Sequence, residues 1–465
     1  MSFPKNFVWG AATSSYQIEG AASRDGGGAS VWDMLGRQPG RIANGDTGDV
    51  ACDHYHRYRE DVALMADIGL QAYRFSIAWP RVLPDGAGRI NQAGLDFYDR
   101  LVDGLLEKNI TPWITLFHWD YPYALYCRGG WLNRDSADWF ADYTRLIVDR
   151  LSDRVSDWIT LNEPQCFIGL GHQDGTHAPG LRMGFPEVLL AGHNALRAHG
   201  KAVQAIRANA RTQPRVGAAQ ASRVSIPMSN QPEDIAAARS HMFAVSKQHV
   251  FNNAWFSDPM ILGSYPEEGV ERHGADMPAI LPGDLECIKQ PLDYFGTNIY
   301  SGIHVRAHGD GGYESRENRG LPLTAMGWPI TPEALYWGPK FFHERYALPI
   351  VITESGMAND DTVRHDRVHD HRRIDFLQRY LSEYARAIAD GVPAHGFFLW
   401  SLLDNFEWAE GYDRRFGIVH VDYNSQMRLP KDSAGWYRDF IASQVTGGSR
   451  ADVQAGRRDD TAETA

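Results

Sequence analysis

The chain has 465 residues, of which 43% are hydrophobic and 22% are charged, so it can bury a large core and is not disordered overall. Its formal net charge is −12. No stretch concentrates Lys and Arg with interleaved aromatics, which disfavours a nucleic-acid partner. The longest apolar run, 396–403, is far shorter than the ~20 residues that cross a bilayer, so we expect no membrane partner.

The start of the chain, MSFPKNFVWG, has no extended hydrophobic region and does not resemble a secretory signal. The four cysteines, Cys52, Cys127, Cys166 and Cys287, are widely scattered without CxxC spacing, as in reduced intracellular proteins. Together these features predict a cytoplasmic protein. Nothing in the sequence indicates its oligomeric state.

Eight short β-branched or aromatic runs alternate with longer amphipathic stretches. Several are apolar at consecutive positions, as in PWITLFH and GFFLW, which is typical of parallel strands covered on both faces. The predicted strands are 7–18, 72–79, 112–118, 158–162, 216–221, 294–300, 350–354 and 396–401.

The intervening segments carry apolar residues at helical steps of three and four. Clear examples are Leu95, Tyr98, Val102 and Leu106; Phe140, Tyr143, Ile147 and Leu151; and Ile374, Leu377, Leu381, Tyr384 and Ile388. Eight strand–helix alternations without a change in composition predict an α/β fold, a single (β/α)8 TIM barrel with extended βα loops. We expect the barrel to span 1–445, with its longest structureless insertion at 301–328 and a disordered tail at 446–465.

Polar side chains accumulate where the predicted strands end, which is where (β/α)8 enzymes place their functional groups. Glu163 follows the fourth strand and Glu354 ends the seventh. A carboxylate at the end of an apolar strand is costly to desolvate. Two converging carboxyls are what glycoside cleavage requires, one to protonate the leaving oxygen and one to act at the anomeric carbon.

Other residue types near the same strand ends suit a sugar ligand. Aromatic rings can stack on the apolar faces of a sugar, and amide, imidazole and carboxyl groups can bond its hydroxyls. The aromatic candidates are Trp119, Trp400 and Trp408. The hydroxyl-binding candidates are Gln17, His118, Asn162 and Glu407.

Five motifs in order resemble family 1 glycoside hydrolases, the β-glucosidase family. They are FVWGAATSSYQIEG at 7–20, YRFSIAWP at 73–80, TLNEP at 160–164, ITESG at 352–356 and LDNFEWAEGY at 403–412. The resemblance covers nearly the whole chain. It implies a retaining β-glucosidase that works without a cofactor or a metal and acts on a small-molecule β-glycoside such as cellobiose.

The resemblance also implies roles for individual residues. Glu163 matches the family's acid/base and Glu354 its nucleophile. Arg74 matches an arginine beside that nucleophile, and Tyr300 a hydroxyl bonded to it. Asn298, at the end of the sixth strand, is predicted to belong to the same catalytic group.

The sugar-binding positions follow in the same way. Asn162 matches a residue that contacts the sugar 2-hydroxyl. The positions that hold the non-reducing sugar are Gln17, His118, Trp400, Glu407 and Trp408. Trp119 matches a neighbouring wall residue, Phe416 the residue that closes the pocket around carbon six, and Trp328 the platform for the aglycone.

Three positions depart from the family's usual pattern. Ser355 replaces an Asn after the nucleophile, and we expect it to change the loop that frames the aglycone side. Gln165 replaces a Trp of the commoner NEPWC, predicting an altered aglycone entrance. Tyr121 stands where WDLP has Leu, predicting a reshaped wall.

Three alternatives remain open at this level. A metal-dependent barrel hydrolase could use His54 and His56, His118 with Asp120, or His365, His369 and His371, although HExxH is absent. A carbohydrate-binding relative should lack one of the two Glu residues, yet both are present. A nucleotide site at GDGG, 309–312, lacks the GxGxxG pattern between strand and helix.

The sugar preference rests on Glu407, which we expect to accept from the 4- and 6-hydroxyls and to repel a 6-phosphate. A structural alternative is an ion pair of Glu407 with Arg414 or Arg415. We predict hydrolysis of unphosphorylated β-glucosides, with β-fucosides and β-galactosides as secondary substrates.

Overall fold

The computed structural model describes residues 1–309, 311–316 and 320–455, with the backbone alone for 446–455. Eight parallel strands close into a barrel in which each strand pairs with its neighbours in sequence, and the eighth pairs with the first. The barrel strands β1–β8 are Val8–Ala12, Ala72–Ser76, Thr111–Phe117, Asp157–Asn162, Arg215–Ala221, Phe295–Asn298, Ile350–Ser355 and Ala394–Trp400. The predicted fold class is confirmed.

The consecutive apolar positions of these strands are explained by burial on both faces. In β3 and β8 the side chains alternate between the barrel interior and the surrounding helices, and nearly all are buried. Rings and small side chains from alternate strands fill the interior together. They include Ala12, Trp113, Ile159, Ala219, Val351 and Phe398.

One long helix follows each strand and packs around the barrel. The helices α1–α8 are His54–Ile68, Gln92–Glu107, Ser136–Leu151, Phe185–Asn209, Pro232–Phe243, Ala334–Tyr346, His371–Ala389 and Asp432–Ala455. The predicted apolar stripes lie on α2, α3 and α7, where most of their residues are buried. Leu106 is an exception and is exposed, because α2 ends one residue later.

Short elements occupy the connections. The short α-helices are Ser15–Ile18, Val31–Gly36, Trp79–Val82, Tyr123–Tyr126, Ala254–Ile261, Glu267–His273 and Asp284–Ile288. A π-helix spans Gln165–Gln173, and 3₁₀ turns span Arg24–Gly26, Ala43–Gly45, Gly130–Leu132, Gly274–Asp276 and Trp408–Glu410. Two small antiparallel pairs join Val363–Arg364 to Arg367–Val368 and Val419–Val421 to Arg428–Pro430.

The insertion after β6 is more ordered than the sequence suggested. Gly302–Ala307 pairs in parallel with Val224–Pro227 and antiparallel with Tyr313–Arg316, which forms a three-stranded sheet. The prediction of a structureless loop was therefore wrong for this part. The alternation of apolar and polar residues does not reveal these strands, because the sheet is small and one of its strands comes from the preceding connection. Residues 310 and 317–319 of the insertion, and with them part of GDGG, lie outside the described residues.

The boundary of the predicted tail stays a prediction. Helix α8 continues to Ala455, and 456–465 lie outside the described residues. None of the helices in the described part of the chain combines the length and apolar character needed to cross a bilayer.

Candidate active site

A cavity of about 650 Å³ opens at the carboxyl ends of the barrel strands. Eleven of the predicted site residues line it: His118, Trp119, Glu163, Asn298, Tyr300, Trp328, Glu354, Trp400, Glu407, Trp408 and Phe416. The remaining three, Gln17, Arg74 and Asn162, lie immediately behind the lining and bond to it.

Glu354, at the end of β7, is bonded to a cation and a phenol. The Arg74 Nη1 atom donates to Glu354 Oε1 at 2.5 Å, and the Tyr300 hydroxyl donates to Oε2 at 2.7 Å. Burial raises the pKa of the Glu354 carboxyl, whereas the charge of Arg74 and the Tyr300 hydrogen bond oppose that rise. Both carboxylate oxygens thus have a donor that stabilises the ionised form. Arg74 forms its ion pair with this carboxyl, as the sequence predicted.

Glu163, directly after β4, has neutral partners instead. The Asn298 amide donates to Glu163 Oε1 at 2.8 Å, and the Cys166 thiol donates to Oε2 at 3.2 Å. Burial and the nearby Glu354 charge raise the pKa of Glu163 to about 7. This carboxyl can therefore hold a proton near neutral pH and also release it.

A hydrogen-bond network connects the two carboxyl sites. Asn162 Oδ1 accepts from Arg74 Nη2 at 2.7 Å and from Asn298 Nδ2 at 3.1 Å. These donors identify the other Asn162 atom as the amide nitrogen, which donates to His118 Nε2 at 3.1 Å. Burial and Arg74 lower the pKa of His118, so the ring is neutral and carries its proton on Nδ1. That N–H is buried and has no partner among the described residues.

Three lining residues have backbones in the left-handed region. The φ angle is +49° at Glu163, +79° at Trp119 and +52° at Trp408. Bulky residues seldom adopt this conformation, which costs of order 1–3 kcal/mol at each position. Strain of this kind concentrates at functional sites, where it places a side chain that a regular strand or helix could not.

Aromatic rings form one wall of the cavity. Trp119 and Trp408 pack with ring centroids 4.5 Å apart, and the indole N–H of Trp119 donates to the Asn162 carbonyl. His118 stacks beside Trp400 with centroids 5.8 Å apart. The Trp119 indole is thus fixed by a hydrogen bond, and the rings together form a wall suited to stacking on a sugar.

Glu407 lies on the same side and has few partners. Gln17 Nε2 reaches Glu407 Oε2 at 3.3 Å, and Gln17 also donates to the Phe406 carbonyl at 2.9 Å from a fully buried position. Gln17 therefore supports Glu407 from behind. Burial and the charges of Glu354 and Glu163 raise the pKa of Glu407 to about 8.

The structural alternative for Glu407 is wrong. Arg414 pairs with Glu410 at 3.2 Å and Arg415 with Asp404 at 2.7 Å. Neither arginine forms an ion pair with Glu407 among the described residues.

The cavity lining also contains residues that the sequence analysis did not predict. Trp328 packs against Tyr300 and Phe416, with ring centroids 5.2 and 6.0 Å apart. The unpredicted lining residues are Cys166, Leu170, Asp174, His177, Ala221, Ser222, Arg223, His249, Phe251, Ser301, Met326, Ala409 and Glu410. Cys166 could have been found from its spacing of three residues from Glu163. The loop residues Arg223, His249 and Phe251 carry no motif that marks them.

The three residues that depart from the family pattern are buried and lie outside the cavity lining. Gln165 is fully buried, donates to Gln220 and accepts from the Ala221 N–H, so it is not at the cavity entrance. Ser355 is buried and does not line the cavity. Tyr121 packs against Trp79 and lies behind the wall rather than on it.

Among the described residues, the group that could hold a metal is His369, His371 and Asp432. It lies at the starts of α7 and α8 and does not line the cavity. The other histidines considered for a metal-dependent hydrolase belong to no such group in the described residues. The cavity itself is lined by five carboxyl residues, the Asn298 amide, histidines and aromatic rings; the carboxyl residues are Glu163, Asp174, Glu354, Glu407 and Glu410.

This arrangement can carry out two-carboxyl chemistry on a polar ring. One carboxyl is bonded to an arginine, the other holds a proton near neutral pH, and a wall of aromatic rings lies beside them. Such a pair suits the cleavage of an acetal bond, where one group donates a proton while the other stabilises the positive centre.

Known proteins are similar to this chain along nearly its whole length. The chain is 49% identical over 446 residues to a 1,4-beta-D-glucan glucohydrolase of Thermotoga neapolitana, covering 94% of this chain and 98% of that one. It is 42% identical to a bifunctional beta-D-glucosidase/beta-D-fucosidase of Bifidobacterium breve, with 95% and 98% covered.

A solved structure is similar as well. The beta-glucosidase from Thermotoga maritima in complex with glucoimidazole superposes with a TM-score of 0.87 at 48% identity, covering 95% of this chain and 99% of that one. The model of glycosyl hydrolase family 1 matches residues 1–446. The chain therefore belongs to glycosyl hydrolase family 1.

Proposed function

We propose that the protein is a retaining β-glucosidase that releases glucose from the non-reducing end of small β-glucosides through a covalent glycosyl-enzyme. The observation that supports this most directly is the contrast between its two carboxyls, with Arg74 at Glu354 and neutral donors at Glu163. The names of the similar Thermotoga proteins agree with this substrate class.

In the first step, the Glu354 carboxylate attacks the anomeric carbon while Glu163 protonates the glycosidic oxygen. The bond between the anomeric carbon and that oxygen breaks, the aglycone leaves as an alcohol, and a sugar ester of Glu354 forms. Glu163 leaves this step ionised. Its pKa of about 7 fits a group that must give up a proton near neutral pH.

In the second step, Glu163 acts as a base. It takes a proton from a water molecule as that water attacks the anomeric carbon, and the ester bond to Glu354 breaks. Glucose leaves with its β configuration, and each carboxyl returns to its starting protonation state. We expect the two carboxyls to lie about 5–5.5 Å apart, as retention requires.

The neighbouring residues keep these roles distinct. Arg74 and Tyr300 hold Glu354 ionised for attack, and Asn298 orients Glu163. Asn162 is oriented by Arg74 and Asn298, so its amide is positioned to bond the sugar 2-hydroxyl. We propose that this bond strengthens as charge develops at the adjacent anomeric carbon.

We propose that the glucose ring lies against Trp400 and is read by His118 and Glu407. Because the pKa of Glu407 is about 8, the empty cavity holds this carboxyl mostly protonated near neutral pH. A protonated carboxyl donates one hydrogen bond and still accepts another, which suits two sugar hydroxyls. Repulsion of a 6-phosphate, which the sequence argument assigned to an ionised Glu407, should therefore increase as the pH rises past about 8.

We also propose β-fucosides and β-galactosides as secondary substrates and cellobiose among the natural ones. The bifunctional Bifidobacterium breve relative supports the fucoside activity. The aglycone would lie between Trp328 and the residues of the 165–173 π-helix that line the cavity, Cys166 and Leu170. A single domain spanning 1–445 and a cytoplasmic location remain our proposals from the sequence.

Proton NMR of the sugar first formed from an aryl β-glucoside tests the mechanism. Retention predicts that β-glucose appears first and mutarotates later to the α-anomer. An initial α-anomer would exclude the double displacement, and the absence of glucose release would exclude the proposed substrate class.

A further inference from the structure

We propose that Cys166 is a positioning residue for the acid/base, because its thiol holds one oxygen of Glu163 in both steps of the reaction. This inference rests on the proposed function, in which Glu163 gives and takes the proton. The thiol donates to Glu163 Oε2 at 3.2 Å from the first turn of the Gln165–Gln173 π-helix. The backbone N–H of Cys166 also donates to the Glu163 carbonyl at 2.9 Å, so two bonds close this turn.

The surroundings of the other oxygen determine where the Glu163 proton must lie. Asn298 Nδ2 donates to Oε1, and the amide cannot turn over because its Oδ1 accepts from Thr353 at 2.6 Å. An amide N–H cannot accept a hydrogen bond. The amide thus takes up one lone pair of Oε1, and Oε2, which the weaker thiol donor contacts, is the favoured position of the proton in the acid form.

A thiol suits this position because it can both donate and accept weakly. When Glu163 is ionised, the S–H donates to Oε2; when Glu163 is protonated, the thiol can turn and leave a lone pair toward the carboxyl. Burial and the Glu163 charge raise the pKa of the Cys166 thiol well above its ordinary value, so it keeps its proton throughout. Cys166 thus keeps its S–H in both protonation states of Glu163 and does not act as a nucleophile.

The consequence is a modest stabilisation of the ionised form of Glu163. Several other titratable or charged groups lie near the Glu163 carboxyl. The nearest are Glu354, Arg74, Tyr300 and Glu407. Farther along the cavity lining are His118, His177, Asp174 and His249. A substitution at 166 leaves all of these in place. Removal of the thiol should therefore raise the pKa of Glu163 and move little else.

The pH profile of kcat/KM tests this, because its basic limb reports loss of the Glu163 proton in the free enzyme. In Cys166→Ala and Cys166→Val, we expect the basic limb to move up by about half a pH unit while the acidic limb stays in place. Cys166→Ser restores a donor and should return the limb toward its original position. Cys52→Ala is the matched control, since Cys52 is also buried and donates to a carbonyl, that of Asp404, away from the cavity. A basic limb that stays in place in both the Ala and Val variants would refute the proposal.

A second measurement uses the unmodified enzyme and needs no turnover. The infrared S–H stretching band lies apart from other protein bands and moves to lower frequency when the thiol donates more strongly. We expect one S–H component to shift as Glu163 titrates near pH 7 and to become independent of pH in Glu163→Gln. An S–H band that does not move through this titration would refute the role of Cys166. Failure of the β-glucosidase proposal would instead appear as absent glucoside cleavage, whatever the S–H band does.

Discussion

The two halves of the catalytic cluster use the same residue type for opposite purposes. On the β2 and β7 side, Glu354 is bonded to a guanidinium and a phenol, which favour the carboxylate. On the β4 and β6 side, Glu163 is bonded to an amide and a thiol, and the charge of Glu354 raises its pKa to about 7. The comparison teaches that the environment, not the side chain type, sets how readily each carboxyl holds a proton.

The largest expected effect comes from Glu354→Ala. Loss of the carboxylate removes the attacking atom, so turnover of every substrate should fall below detection, including substrates with good leaving groups. Added azide can enter the space that is left and should give an α-glycosyl azide. A β-glycosyl azide from this variant would reverse the assignment of the two carboxyls.

The next effect, about 10²–10⁴-fold, is expected from Glu163→Ala. Substrates that need a protonated leaving group should lose the most, whereas aryl glucosides with good leaving groups should still form the glycosyl-enzyme in a rapid burst. Azide should rescue this variant to a β-glycosyl azide. Equal losses for good and poor leaving groups would contradict the role of Glu163 as the acid.

The sequence predicted the cavity residues at the strand ends far better than those on the long connections. Glu163, Glu354 and Trp400 lie at or next to strand ends, and a barrel brings all strand ends together, so the order of strands alone was enough to place them. Arg223, His249 and Phe251 come from long connections whose paths depend on tertiary packing. No local sequence pattern predicts the path of such a connection.

The pKa values of the site residues could not be predicted from the sequence either. The motif LDNFEWAEGY marks Glu407 as a binding residue, but its raised pKa depends on burial and on two carboxyls from other strands. Likewise, the motif NEPQC suggested that Gln165 lies at the entrance. The π-helix turns it instead toward Gln220, leaving Cys166 in the cavity. A one-residue offset of this kind requires the backbone geometry.

A third expected effect concerns the distal end of the sugar site. Glu407→Ala should remove two hydrogen bonds to the sugar and cost about 3 kcal/mol in kcat/KM for glucosides, roughly 10²-fold. Fucosides lack the 6-hydroxyl and should lose less. Glu407→Gln keeps the shape and both bonding functions of the protonated carboxyl, so it is the matched control and should lose less than the Ala variant. Equal losses for glucoside and fucoside would refute the contact with the 6-hydroxyl.

The smallest effect, and the sharpest test of the contrast between the two carboxyls, comes from Tyr300→Phe. The Tyr300 hydroxyl stabilises the Glu354 carboxylate, so its removal should raise the pKa of Glu354. Glu354 must be ionised to attack, so the acidic limb of kcat/KM should move up by roughly half to one pH unit, with about a tenfold loss below the optimum.

The control for this variant is Tyr380→Phe, because Tyr380 donates to the Tyr300 backbone carbonyl at 3.0 Å and, among the described residues, bonds to neither catalytic carboxyl. It removes a hydroxyl from the same region and should leave the acidic limb in place. The two limbs of the pH profile report the coupled pair of carboxyls rather than one residue each. For each variant, the quantity to compare is therefore the shift of one limb relative to the shift of the other limb. Tyr300→Phe should move the acidic limb and Cys166→Ala the basic one. If both variants moved the same limb, the separation of the two environments would be wrong, because a donor would then act on the pair as a whole rather than on the carboxyl it contacts.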